Sequence, residues 1–467
     1  MVVPRWQNQE EAMQFALQHN AVMLDLDMGC GKTRVAIDTV YERKDSFRVL
    51  VVCPKAVIPV WRENLEKFAP PGWSCWDDRK GTVAVKAARL KRFFSEHLHN
   101  PSTHQFVVIN YDCVWRKPMG DLLLKAGFST VILDESHRAK AAGSKVSKYL
   151  AMLGKRVKYR MCLSGTPMAN SPLDVYGQYR FLDPSIFGTN YYNDFLNRYA
   201  VMGGPERRFV VGYKNQKELN EKFQSIAYTC RMSDIADRLK LPPQLPVTKQ
   251  TVTLPAKDYK LAKELAKDFI AECHEGGAVV VSNVLSKMLR MQQIASGYCM
   301  VQDGPAEEKR VQELNTSKAD ALEDLLSDIS PEASVTVFCV FVHDLDTVAG
   351  VAAKAKRGAF ELSGRVNQLD EWKKHPGAVI AVQIRAGAEG VDMTNANHAI
   401  YFSLPYSLAQ YNQSKARLYR PGQTRPVHFC HLIAEGTIDE AMYKSLQRKR
   451  DVIDAIKDGT FDYGFVK

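Results

Sequence analysis

The feature that most limits the fold is a rhythm of short apolar runs separated by helical stretches. In the first half the runs are Ala21–Leu26, Arg48–Cys53, Phe106–Asn110, Thr130–Asp134 and Arg160–Leu163. Helical patterns lie between them, as in Thr33–Arg43 and Val57–Phe68. Unbroken apolar runs suit strands covered on both faces, and intervening helices return each strand parallel to the last. The rhythm restarts at Val335–Val340, Ala378–Val382, Ala399–Phe402 and Val427–Leu432. The fold class is therefore α/β, with two lobes, each a mainly parallel sheet covered by helices.

Between the two sets stands Leu241-Pro242-Pro243-Gln244-Leu245-Pro246, where closely spaced prolines cannot continue a helix or a central strand. This predicts a first lobe over 1–240, a linker over 241–247 and a second lobe over 248–467. Helical segments are expected near the junction, at about 172–239 and about 257–297. A further helix over Ile438–Asp458 closes the second lobe.

Composition removes some function classes. No run of about 18 apolar residues exists, so no membrane-spanning helix is expected. The start, Met1-Val2-Val3-Pro4-Arg5, has no basic segment followed by an apolar one, so no secretory signal is expected. Ten cysteines are scattered without a C-x-x-C pair. They read as small buried hydrophobes in a reducing compartment. A soluble, cytoplasmic protein is expected. Lys plus Arg number 63 and Asp plus Glu 52, a net charge of +11, which suits a polyanionic partner without requiring one.

The first apolar run leads into Asp27-Met28-Gly29-Cys30-Gly31-Lys32-Thr33, and a helix follows. Glycines let backbone N–H groups turn in around phosphate oxygens, and the helix N-terminus adds partial positive charge. Lys32 would reach the β- and γ-phosphates, and Thr33 would ligate Mg²⁺. The strict phosphate-loop pattern has glycine six residues before the lysine, whereas Leu26 stands there. A second element supports the phosphate reading. The run Thr130–Asp134 ends in Asp134-Glu135-Ser136-His137. Carboxylates at the C-terminal end of a strand sit where open α/β sheets bind ligands. Asp134 would hold the magnesium, and Glu135 would orient and deprotonate the attacking water.

In series these residues resemble the Swi/Snf-like branch of superfamily-two helicases and DNA-dependent ATPases, in its compact bacterial or phage form. Arg5-Trp6-Gln7 resembles the family's adenine-reading motif, and Met28–Thr33 its phosphate loop, which lacks the early glycine. Pro54-Lys55 with Trp61 behind, Asn110-Tyr111, and Ser164-Gly165-Thr166-Pro167 followed by Asn170 continue the order. The resemblance implies two RecA-like lobes, ATP and Mg²⁺ as cofactors, and DNA, in double-stranded form, as partner. It implies nucleotide contacts by Gln7, Met28, Gly29, Cys30, Gly31, Lys32, Thr33, Asp134, Gly390 and Gln413. Metal ligation falls to Thr33 and Asp134. DNA contacts fall to Pro54, Lys55, Asn110, Tyr111, Thr166 and Arg385.

In the second lobe, Gln413-Ser414-Lys415-Ala416-Arg417-Leu418-Tyr419-Arg420 is similar to the family's arginine-finger motif. Spacing of three would place Arg417 and Arg420 on one helix face. Ala416 stands where the family has an acidic residue. Arg385–Asp392 resembles the preceding motif, with Gln383-Ile384 replacing a Ser-Thr pair and Asp392 replacing an asparagine. The catalytic set implied is Lys32, Glu135, Arg417 and Arg420.

His428-x-x-His431 does not read as a metal site, because strand alternation turns the two side chains apart. His97, His99 and His104 lack a ligand frame. Trp6 is equally compatible with stacking on adenine and with capping the first helix. The expected function is ATP-driven translocation along duplex DNA. Three alternatives stay open: a helicase that separates or anneals strands at forks, an RNA-directed ATPase, and a nucleotide-regulated DNA-binding scaffold.

Overall fold

The computed structural model describes residues 4–97, 103–168, 171–203, 209–274, 281–301, 310–385 and 391–448. The chain divides into two compact units, Met1–Leu239 and Lys240–Lys467.

The first unit contains β1 (Ala21–Leu26), β2 (Arg48–Cys53), β3 (Trp73–Trp76), β4 (His104–Asn110), β5 (Thr130–Asp134) and β6 (Tyr159–Ser164). A hairpin of β7 (Ala200–Gly203) and β8 (Phe209–Tyr213) follows, then β9 (Ala227–Cys230). Seven of these form one sheet in the order β3-β4-β2-β5-β6-β1-β9. Every pairing in it is parallel. β1 and β5 are buried along their full length, which explains their unbroken apolar character. Trp61 and Tyr179 are fully buried among the covering helices.

The second unit contains β10 (Thr248–Val252), the hairpin β11 (Tyr298–Val301) with β12 (Arg310–Glu313), β13 (Ser334–Cys339), β14 (Ala359–Leu362), β15 (Val379–Gln383), β16 (Ala396–Tyr401) and β17 (His428–Ala434). Its main sheet runs β10-β17-β16-β13-β15-β14, again parallel throughout. The proline-rich residues are attached to this unit: Leu245 N–H donates to Val427 O at 2.9 Å, and Val427 N–H to Pro243 O at 3.3 Å.

Two expectations need correction. The stretch 172–239 is not wholly helical. It carries helices Val175–Leu182, Tyr192–Tyr199, Gln216–Gln224 and Met232–Ile235, but also the β7–β8 hairpin and β9. β9 has only four residues, too few to show a period. The helix before the second-unit arginines, Leu408–Lys415, ends short of both. Pro421 disfavours helical backbone in its predecessor, and Gly422 takes a left-handed φ of 103°. At the C-terminus the last described helix is Ile438–Gln447, and 449–458 lie outside the described residues.

Candidate nucleotide site and the second-unit arginines

Strand order brings three loops of the first unit together. β6 lies between β5 and β1, so all three C-terminal ends open on one edge of the sheet. β1 delivers the glycine-rich loop, β5 the acidic pair, and β6 the Ser164-Gly165-Thr166 turn. They are in close register: a Cβ on Gly165 would lie 3.1 Å from Leu26 O.

Gly29 and Gly31 hold the loop at φ of 88° and 86°, a region that side chains resist. At Gly31 a Cβ would stand 2.2 Å from Gln9 Nε2. The helix Lys32–Glu42 begins at this glycine, so its first N–H groups face the loop. Lys32 Nζ donates to Leu26 O at 2.8 Å and to Asp27 O at 3.3 Å. Its ammonium is thus folded over the cradle where a phosphate would bind. Met28 and Thr33 are half-buried in the same loop, and Cys30 is buried.

Asp134 is buried and gripped from three sides. Trp61 Nε1 donates to Oδ2 at 2.8 Å, Glu135 N–H donates to Oδ1 at 3.0 Å, and Tyr111 OH donates to the Asp134 carbonyl at 2.8 Å. Burial, and then the adjacent Glu135, push its carboxyl up to about 6. A divalent cation would offset this cost, and each carboxylate oxygen, accepting one hydrogen bond, keeps a second acceptor site. The residues therefore fit Mg²⁺.

Glu135 is also buried and takes φ 52°, ψ 52° without being glycine. Such backbone costs about 1–3 kcal/mol and persists where surrounding structure imposes it. His137 Nδ1 lies 3.3 Å from Glu135 Oε2. The next residue, Ser136, donates its Oγ–H to Gln178 Oε1 at 2.7 Å, and Gln178 Nε2 donates to Pro167 O at 2.7 Å. A fully buried amide thus ties the acidic loop to the turn after β6.

In the second unit, Arg417 and Arg420 converge without a shared helix. Their Nη1 atoms lie 3.4 and 3.1 Å from the same carbonyl, Val391 O. Met393 N–H donates to Arg417 O at 3.1 Å, which fixes the turn against that segment. Gln413 is buried on the preceding helix. Arg385 is exposed just past β15. Gly390 lies outside the described residues, as do Asn170 and His99.

Matches to known proteins accord with this layout. The SNF2-related domain model matches residues 5–297, and the helicase conserved C-terminal domain model matches 317–422. The chain belongs to the SNF2-related family. Within that family it is 24% identical to the human DNA annealing helicase and endonuclease ZRANB3, over 97% of this chain and 40% of that protein. It is 25% identical to the mouse chromodomain-helicase-DNA-binding protein 1-like, over 94% of this chain and 48% of that protein. The SNF2-related chain thus spans less than half the length of these curated relatives. Among solved structures, the Sulfolobus solfataricus SWI2/SNF2 ATPase core in complex with dsDNA has a TM-score of 0.45 and 21% identity, covering 98% of this chain and 94% of that one.

In this SNF2-related chain some expected residues sit differently from their neighbours. Gln7 is exposed, donating to Glu11 Oε1 at 2.8 Å and accepting from Arg238 at 3.2 Å. Two residues on, Gln9 is buried against Gly31 and accepts from Trp6 N–H at 3.1 Å. Trp6 occupies the N-cap of the first helix, Gln7–Leu17. Lys55 is exposed, Asn110 and Thr166 are half-buried, and Pro54 and Tyr111 are buried. Tyr111 directs its hydroxyl to Asp134. His428 bonds Thr248 Oγ1, and buried His431 bonds Tyr411 OH. Among the described residues no cluster of three or more His, Cys, Asp or Glu could hold a metal. Nor is any helix among them long and apolar enough to cross a membrane. Sequence reasoning missed Gln9 and Gln178, because a lone polar residue carries no periodic signal.

Proposed function

We propose that this chain is a DNA-stimulated ATPase that moves along double-stranded DNA and remodels DNA or protein–DNA complexes. The observation that carries this is the alignment of the phosphate loop, Asp134-Glu135 and the Ser164–Pro167 turn on adjacent strand ends. In this reading Lys32 and the loop amides hold the triphosphate. Thr33 and Asp134 would hold Mg²⁺, which would supply charge to offset that of the phosphates. Glu135 takes the proton of the attacking water. Arg417 and Arg420 neutralise charge developing on the γ-phosphate. Gln7, Gln413 and Gly390 complete the nucleotide contacts. Lys55, Asn110, Thr166 and Arg385 contact DNA, with Pro54 and Tyr111 supporting them from within.

The conclusive measurement is steady-state ATP hydrolysis without nucleic acid and with single-stranded, duplex and forked DNA and RNA. Strong stimulation by plain duplex, lost in Glu135→Gln, is the expected result. Preference for forked DNA would favour strand annealing instead, a reading supported by the annealing-helicase name of the relatives matched over 97% of the chain. Stimulation by RNA alone, or none with any of them, would overturn the proposal.

A further inference from the structure

The phosphate loop is fastened to the residues that lead out of the first unit. β9 forms the sheet edge beside β1, and its last residue, Cys230, accepts Asp27 N–H at 2.9 Å. The next residue, Arg231, grips Asp25 through Nη1 and Nη2 at 2.9 and 2.6 Å, and Nη1 also reaches Asp27 Oδ1 at 3.3 Å. Met232 N–H then donates to Asp27 Oδ2 at 2.9 Å. A short helix, Met232–Ile235, follows, and Leu239 closes the unit.

The two aspartates differ in setting. The Asp25 side chain is 2% exposed, which makes it a fixed anchor, whereas Asp27 is 35% exposed. Burial raises the Asp25 carboxyl above its ordinary range, opposed by Arg231. An ion pair with one buried and one solvated carboxylate is stiff at the first and adjustable at the second.

Asp27 also meets the nucleotide side. Its carbonyl accepts from Lys32 Nζ at 3.3 Å while its carboxylate holds 231–232. A phosphate oxygen is a stronger acceptor for an ammonium than a neutral carbonyl. Occupying the cradle therefore draws Lys32 away from Leu26 and Asp27, which leaves the Asp27 carbonyl held by Cys30 N–H at 3.2 Å alone and loosens that peptide. The same residue would pass the shift to the segment beyond β9.

We propose that Asp27 and Arg231 form a positioning link that transmits occupation of the phosphate loop to residues 231–239, the exit toward the second unit. This rests on reading Lys32–Thr33 as the ATP site.

Hydrogen exchange tests it in the full chain carrying Glu135→Gln, with and without ATP and Mg²⁺. ATP should change the exchange of the 232–239 amides by about fivefold or more, with β2 amides as the fold control. Adding Asp27→Asn should shrink that change to less than about twofold while a fluorescent ATP analogue still binds. Arg231→Lys, which keeps the charge but loses the fork, should do the same if the first variant folds poorly. The Asp27→Asn chain with Glu135 intact should lose about tenfold in DNA-stimulated kcat, with KM for ATP within about threefold. ATP binding without altered exchange at 232–239 overturns the link alone, as does an undiminished change in the variants. Failure of the parent to bind ATP overturns the site assignment and the link with it.

Discussion

At the scale of single residues, the acidic pair stores the cost that ligand binding would relieve. Asp134 is buried, and desolvation, then the charge of Glu135, pushes its carboxyl up to about 6 in the folded chain. An unfolded Asp titrates near about 3.9. Between these values the folded state holds a proton that the unfolded state has released, so stability falls as pH rises through the window. Asp134→Asn should flatten that part of the curve, and denaturant melts of both chains from pH 4 to 7 without nucleotide would measure it. Glu135 adds backbone strain at the position where the proposed chemistry needs a base. Glu135→Gln and Lys32→Ala should each abolish turnover, read as phosphate release, while DNA binding survives. Unchanged turnover in either variant would remove these residues from the mechanism.

At the scale of elements, the site is a product of strand order. β5 and β1 are far apart in sequence, yet each pairs with β6, and Gln178 on the helix Val175–Leu182 ties the acidic loop to the turn after β6. Gln178→Leu would leave Ser136 Oγ and Pro167 O without this partner. A buried polar group left unsatisfied costs about 1–3 kcal/mol. The variant should melt lower, and its turnover should fall further than that stability loss explains. Calorimetry beside steady-state hydrolysis separates the two effects. In the second unit the arginine pair is set by a turn beyond the helix Leu408–Lys415 rather than by the helix itself. Helical spacing predicted one shared helix face, but both residues lie beyond the helix, and the shared carbonyl of Val391 is what brings their side chains together.

At the scale of the whole molecule, the proposal assigns Arg417 and Arg420 to the charge that develops on the γ-phosphate. Arginine fingers contribute about 10³–10⁵ in rate, so Arg420→Ala should slow DNA-stimulated hydrolysis at least about a hundredfold. A loss below about tenfold would place that arginine outside the transition state. Contacts mainly to phosphate backbone predict weak sequence preference and affinity that falls steeply with salt. Titrating duplexes of different sequence between 50 and 200 mM salt should give a drop of about tenfold or more, with little difference between sequences.

Much of this was legible in the residues. Unbroken apolar runs marked β1, β2 and β5 because these strands are covered on both faces. Gly29, Gly31, Lys32 and Asp134-Glu135 stood out because the proposed phosphate and metal chemistry restricts residue type and spacing, and the structure sets them on neighbouring strand ends. β9 and β14 were not, because four residues give no readable period. Gln9, Gln178 and the partners of Arg231 were also beyond reach. Each acquires its part only from a partner distant in sequence: Gly31 against Gln9, Ser136 against Gln178, and Asp25 and Asp27 against Arg231. Local chemistry is written in the order of the chain. Which buried polar groups satisfy one another is settled only when parallel strands bring separated segments side by side.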